Sequence, residues 1–187
     1  CRRSEICGLQ WSDVDFDRSL VYIRRSYHVV AGVEMYREPK SARSRRAIAL
    51  DAYSLNILAD QRADAERLAG MFGRPLAQNA PVFARANGRP LHPETITKAW
   101  VRVARALRLS VRLHDLRHSS ATLMLAAGIP VQLVSQRLGH ATAGFTLTQY
   151  AGVLPGAQVE AAEKLAALLN GHSKAPAPAL AGTTEAG

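Results

Sequence analysis

The sequence predicts an α+β fold, mainly α-helical, with a small three-stranded antiparallel sheet. Three observations carry this expectation. β-branched and aromatic residues alternate with polar ones over residues 19–26, 28–38 and 46–50, the period-two pattern of half-buried strands. After Asp51 the apolar residues recur at helical spacing between capping and stop signals. Hydrophobic residues make up 48% of the chain but aromatic ones only 6%, so alanine-rich helices packed through small and aliphatic side chains are expected.

Taken in order, residues 2–10 place Ile6, Cys7 and Leu9 at near-helical spacing, and the turn formers after Trp11 end that short helix. The alternating segments follow, with Ala31-Gly32 as a turn. Asp51 caps a long helix to about Leu68, closed at Gly70. Val82-Phe83 forms a short buried element between Pro81 and the Asn87-Gly88 turn. His92-Pro93-Glu94 opens a second helix with Ile96, Trp100, Val103 and Leu107 on its apolar face. A third helix runs from near His114 to Gly128, and a fourth from Pro130 to Leu138-Gly139. A last helix spans about 157–169, with Val159, Ala162, Leu165 and Leu169 as its apolar stripe. Residues 171–187, rich in Ala, Pro, Gly and Thr, read as a disordered tail, so residues 1–170 are the expected domain. There is no internal repeat.

Composition narrows the function classes. The 187 residues suffice for one domain with a sizeable core. A net charge of +9 points to a polyanionic partner, nucleic acid first. No apolar run reaches the length of a membrane span, so no membrane partner is expected. Two cysteines, Cys1 and Cys7, are too few for a disulfide framework or a zinc site and fit a reducing cytosol. The chain opens on Cys1-Arg2-Arg3 without Met, as the interior of a larger protein would.

Several residues could carry chemistry. His114 and Arg117 stand three apart and can address one ligand, an imidazole beside a guanidinium that suits phosphoryl transfer. His118, four residues from His114, also admits a metal reading with Asp115. His140 follows a helix-ending glycine, and Tyr150 comes ten residues later. Residues 37–46 hold five basic residues against one acidic, a cationic turn able to ride on phosphates. Each has a plain structural explanation when taken alone: a solvated helix start, a capping histidine, a packed tyrosine, a solvated loop.

Their order is more specific. The chain resembles the catalytic domain of the tyrosine recombinases, the phage integrase family, over about residues 1–169. Arg2-Arg3-Ser4-Glu5 with the tail Leu9-Gln10-Trp11-Ser12-Asp13 is similar to the family's first motif. Pro39-Lys40-Ser41 resembles its lysine-bearing β-turn. His114-Asp115-Leu116-Arg117-His118 matches the His-x-x-Arg box, Leu138-Gly139-His140 the next motif, and Tyr150 falls at the expected distance. Cys1 departs mildly from the apolar residue that often precedes the first Arg.

The resemblance implies a site-specific recombinase that cleaves and rejoins DNA through a 3′-phosphotyrosyl intermediate, using neither metal nor ATP and no cofactor. It implies catalytic roles for Arg2, Lys40, His114, Arg117, His140 and Tyr150. Tyr150 is the nucleophile, His114 its base, Lys40 the acid, and Arg2, Arg117 and His140 the clamp on the phosphate. Glu5 supports a guanidinium, and Arg43, Arg45 and Arg46 contact DNA. The implied partners are double-stranded DNA and further copies of the chain, four at synapsis, with a monomer away from DNA; the apolar stripe of the last helix can pack on its own domain or, as the resemblance implies, dock in trans on a neighbour. The alternatives are a metal-dependent phosphohydrolase on His114, Asp115 and His118, and a DNA-binding relic or fragment without turnover.

Overall fold

The computed structural model describes residues 1–38, 44–140, 142–150, 163 and 165–167. The chain divides into two units, Cys1–Ala151 and Gly152–Gly187.

The first unit opens with helix α1 (Arg3–Cys7) and a 3₁₀ turn (Trp11–Asp13), which leads into strand β1 (Val14–Asp15). Strands β2 (Leu20–Ile23), β3 (Ser26–Val30), β4 (Val33–Arg37) and β5 (Arg46–Ala49) follow. The expected three-stranded antiparallel sheet is present, in the order β1-β2-β5, while β3 and β4 pair separately as a hairpin. The strand membership thus differs from the sequence expectation, and the reason lies between β2 and β3. Arg24 and Arg25 reach back to the buried Asp13 carboxylate at 3.5 and 2.5 Å, so the chain turns out of the sheet. The Ala31-Gly32 turn closes the β3–β4 hairpin, with Ala31 and Gly32 both at positive φ (49° and 79°). The segment read as one strand over 28–38 therefore contains the turn.

Alternation along β2 sends Val21 and Ile23 inward, where they meet Ile48, Leu9, Trp11, Leu58 and Val82 in one core cluster. Each such aliphatic side chain contributes roughly 1.5–3 kcal/mol on burial. Gly8 lets α1 lie against β3, since a Cβ there would stand 3.0 Å from the backbone of Ser26 and Tyr27.

Helix α2 (Ala52–Met71) starts at Asp51, whose side chain accepts from the Ser54 amide, as the capping signal predicts. It buries Leu58 and otherwise lies largely exposed. Helix α3 (Pro93–Ala106) begins at His92, whose Nδ1 accepts from the Glu94 amide. Its expected face is corrected: Val103 and Leu107 are exposed, while Ala104 packs inward and Trp100 donates its indole N–H to Val111 O at 2.8 Å. Ala104 takes the inward position, and Val103, about 100° round the helix from it, therefore faces solvent.

Helices α4 (Asp115–Ala126), α5 (Val131–Leu138) and α6 (Ala143–Tyr150) complete the unit. Helix α4 buries Arg117, Ala121 and Leu125, four residues apart, so its inner stripe starts on a charge. Helix α5 ends at Gly139 in the left-handed conformation (φ 68°). Helix α6 was not foreseen. Its Gly144, Thr146 and Thr148 are weak helix formers, but the Thr142 hydroxyl caps it by accepting from the Phe145 amide.

In the second unit, residues 163 and 165–167 are helical and exposed. The rest of the expected 157–169 helix and the expected tail at 171–187 lie outside the described residues. Among the described residues no helix is long and apolar enough to cross a membrane.

Candidate active site

Arg2 stands at the N-cap of α1, held from both ends by Glu5, one turn on. The Arg2 amide donates to Glu5 Oε2 at 2.7 Å, and its guanidinium donates to Oε1 at 3.0 Å. A second arginine arrives from β5. Arg46 donates to both oxygens of Glu5, at 3.1 and 2.8 Å, and its Nε donates to Arg137 O at the end of α5. Burial alone would raise the Glu5 carboxyl, yet the Arg46 and Arg2 hydrogen bonds outweigh it and hold the group at about 2. One buried carboxylate therefore ties α1, β5 and α5 together through two guanidiniums.

The close approach of Arg46 to α5 explains Gly139. A Cβ at that left-handed position would stand 2.8 Å from Arg46 Nη1. Arg2 Nη2 also reaches the Gly139 carbonyl, at 3.5 Å.

Arg117 comes from the first turn of α4 and is 9% exposed. Its Nη2 donates to the Leu138 carbonyl, and its Nη1 is buried without a hydrogen-bond partner among the described residues. Burial, and then the charge of Arg2, lower its pKa to about 10. A buried guanidinium N–H lacking an acceptor is costly. Here it sits among Arg2, Arg46 and a single carboxylate, an environment short of negative charge. Arg2, His114 and Arg117 open together on a cleft of about 1060 Å³, which Arg3, His92 and Arg112 also line.

His114 is the exposed N-cap of α4, and its ring meets His118 edge-on at 5.0 Å between centroids. His118 Nδ1 lies 2.8 Å from the Tyr150 hydroxyl. Tyr150, at the end of α6, is 5% exposed, and its burial raises its pKa against the opposing pull of Arg117. His140 Nδ1 lies 2.8 Å from Thr146 Oγ1, one turn before Tyr150. Burial, then the charges of Arg117 and Arg2, lower His140 to about 4, so its ring is neutral near pH 7.

The structure thus gathers Arg2, Glu5, Arg117, His140 and Tyr150 with Arg46, and puts His114 on the cleft beside His118. Lys40 and Arg43 lie outside the described residues. Arg45 is exposed and paired with Glu38 at 2.6 Å, whereas the Arg46 side chain is only 6% exposed and is committed to Glu5. Arg45 lines a second cleft of about 730 Å³ with Arg24, Arg25, Arg37, Tyr22 and Tyr36. Thr146 carries no motif or periodic signal, and the spacing of His118 from His114 suggests only a metal ligand; the packing of α6 brings both residues to the site. Asp115 is engaged by Arg112, whose hydrogen bonds hold its carboxyl at about 2. Among the described residues no three His, Cys, Asp or Glu side chains are grouped to hold a metal ion.

The first unit is thus a mainly helical domain with a small sheet that presents clustered arginines, histidines and a buried tyrosine. The chain belongs to the phage integrase family, whose profile matches residues 1–155. It is 25% identical over 177 residues to the Tyrosine recombinase XerC-like protein of Caldanaerobacter subterraneus subsp. tengcongensis, covering 88% of this chain and 45% of that one. It is 26% identical over 169 residues to the ICEBs1 integrase of Bacillus subtilis (strain 168), covering 90% of this chain and 46% of that one. The chain therefore spans about half the length of the curated relatives it matches. Its fold matches the Tn1549 transposon integrase in complex with transposon right end DNA, with a TM-score of 0.67 and 21% identity over 80% of this chain and 50% of that one.

Proposed function

We propose that this chain carries the strand-cleaving and rejoining site of a site-specific tyrosine recombinase acting on double-stranded DNA. The observation that carries the reading is the buried Nη1 of Arg117 beside Arg2, which has no hydrogen-bond partner among the described residues and can receive an anion. A scissile phosphate satisfies it. Charge that builds on the nonbridging oxygens during displacement meets Arg2 and Arg117, with His140 adding a hydrogen bond.

In the proposed step the Tyr150 oxygen forms a bond to phosphorus, and the bond from phosphorus to the 5′ oxygen breaks. This leaves a 3′-phosphotyrosyl link and a 5′-hydroxyl. The phenol proton passes to the His118–His114 pair, since His118 Nδ1 is the ring nitrogen 2.8 Å from the Tyr150 hydroxyl. Lys40 supplies the proton to the leaving 5′ oxygen. Attack by a 5′-hydroxyl of another strand reverses each transfer, and the covalent link conserves the bond without ATP. Glu5 holds Arg2 and Arg46 in place, and Arg43 and Arg45 face the DNA backbone. Exchange between strands calls for further copies of the chain on the DNA, four at synapsis, with the last helix docking on a neighbour. Such a protein works in the cytoplasm, at the nucleoid.

The test is a DNA substrate nicked near the cleavage point, so that religation fails. Candidate sites come from DNA flanking the gene, and the reaction is run in EDTA. The expected product is a denaturation-resistant protein–DNA adduct that Tyr150→Phe abolishes. Binding to a site without any adduct from the full-length protein would instead support a DNA-binding relic.

A further inference from the structure

Helix α6 buries two side chains, Thr146 and Tyr150, one turn apart, and each meets a histidine. Tyr150 belongs to the reading above; Thr146 does not. Its side chain is fully buried, and its Oγ1 stands 2.8 Å from His140 Nδ1. Burial and the surrounding arginines keep His140 neutral near pH 7, so its ring carries one N–H. The question is which nitrogen bears it.

If Nδ1 carried the hydrogen, it would donate to Thr146, and the buried threonine proton would have no other acceptor among the described residues. A buried donor left unsatisfied costs about 1–3 kcal/mol. If the hydroxyl donates to Nδ1 instead, both groups are satisfied and the ring hydrogen lies on Nε2. Because Nδ1 is engaged, Nε2 is the ring atom left to address a ligand. An Nε2–H offers a donor to a phosphate oxygen, whereas a bare Nε2 would turn a lone pair toward it.

We propose that Thr146 is a positioning residue: it donates its hydroxyl proton to His140 Nδ1 and fixes His140 as the Nε2–H tautomer that a phosphate requires. The consequence for phosphate rests on the reading of the site as a phosphodiester centre. The tautomer itself does not. His140 reaches this geometry because left-handed Gly139 ends α5, and its amide donates back to Ser135 O at 3.1 Å.

The experiment uses the full chain with ¹⁵N-labelled histidine, read by two-bond proton–nitrogen correlation near pH 7 without DNA. His140 is expected as Nε2–H in the wild type and in Thr146→Ser, and as a mixture or Nδ1–H in Thr146→Val. Adduct formation on the nicked substrate is expected to fall about 10²-fold in Thr146→Val, as for loss of one oxyanion donor, and to recover in Thr146→Ser. An Nδ1–H signature in the wild type overturns the proposal, and that reading needs no variant to fold. An unchanged tautomer in folded Thr146→Val protein overturns it as well. Binding to the nicked substrate without any adduct from the full-length protein would sink the recombinase reading, while the nitrogen spectrum still decides the role of Thr146.

Discussion

The Tyr150 hydroxyl rests 2.8 Å from Nδ1 of His118, and His114 stands behind, its ring edge-on to His118 at 5.0 Å. His118 is in ring contact with both His114 and Tyr150, so in the proposed reaction the phenol proton goes first to His118. The sequence motif pointed to His114 as the base. The helical step of four residues places both histidines on one side of α4, but only His118 is in contact with Tyr150.

His118→Leu is therefore expected to slow adduct formation by about 10²–10⁴-fold, the usual range for losing a general base. The rate is read on the nicked substrate under single-turnover conditions. His118→Leu at wild-type rate, with His114→Ala inactive, would return the role of base to His114.

Glu5 and Arg46 form a buried two-point ion pair between residues 41 apart in sequence. Removing one partner leaves the other buried and unpaired, so Glu5→Ala is expected to cost about 3–5 kcal/mol in denaturant unfolding. The pair also sets an acid limit. Glu5 titrates near its ordinary 4.5 when unfolded and near 2 when folded. Between those values the unfolded chain binds the extra proton, so stability rises with pH. The contribution is complete above about 4.5 and is lost as pH falls toward 2; Glu5→Gln should flatten that part of the stability profile.

Arg117→Lys keeps the charge and removes the fork. A single ammonium nitrogen must then reach both the Leu138 carbonyl and the anion proposed for Nη1, without the fork that aims two nitrogens separately. Adduct formation is expected to fall about 10²–10³-fold, as when an oxyanion donor is lost. Melting temperature, measured alongside, separates this from unfolding.

Arg45 is exposed at the mouth of the arginine-lined cleft beside β5. Arg45→Ala is expected to weaken DNA binding similarly for all sequences and to reduce the slope of log affinity against log salt by about one. Fluorescence anisotropy over a range of salt concentrations reads both. An unchanged slope would remove Arg45 from the phosphate contacts.

Much of this was legible in the sequence because capping and period are local properties. Asp51, His92 and Gly139 mark their helix ends as read. The fold class followed from the same signals. What stayed hidden depended on contacts distant in sequence. The split of the hairpin from the sheet depends on Asp13 drawing in Arg24 and Arg25. Arg46, expected on DNA, is drawn inward by Glu5. Thr146 has no signature in periodicity, and its role appears only when α6 lies beside His140.

The most direct test of the central claim is to map the covalent adduct. Protein trapped on the nicked substrate is digested with nuclease and protease, and the nucleotide-bearing peptide is sequenced by mass spectrometry. One modified residue is expected, Tyr150, linked to a 3′-phosphate, with a 5′-hydroxyl on the released strand. Attachment at another residue, or a 5′-phosphate link, would contradict it.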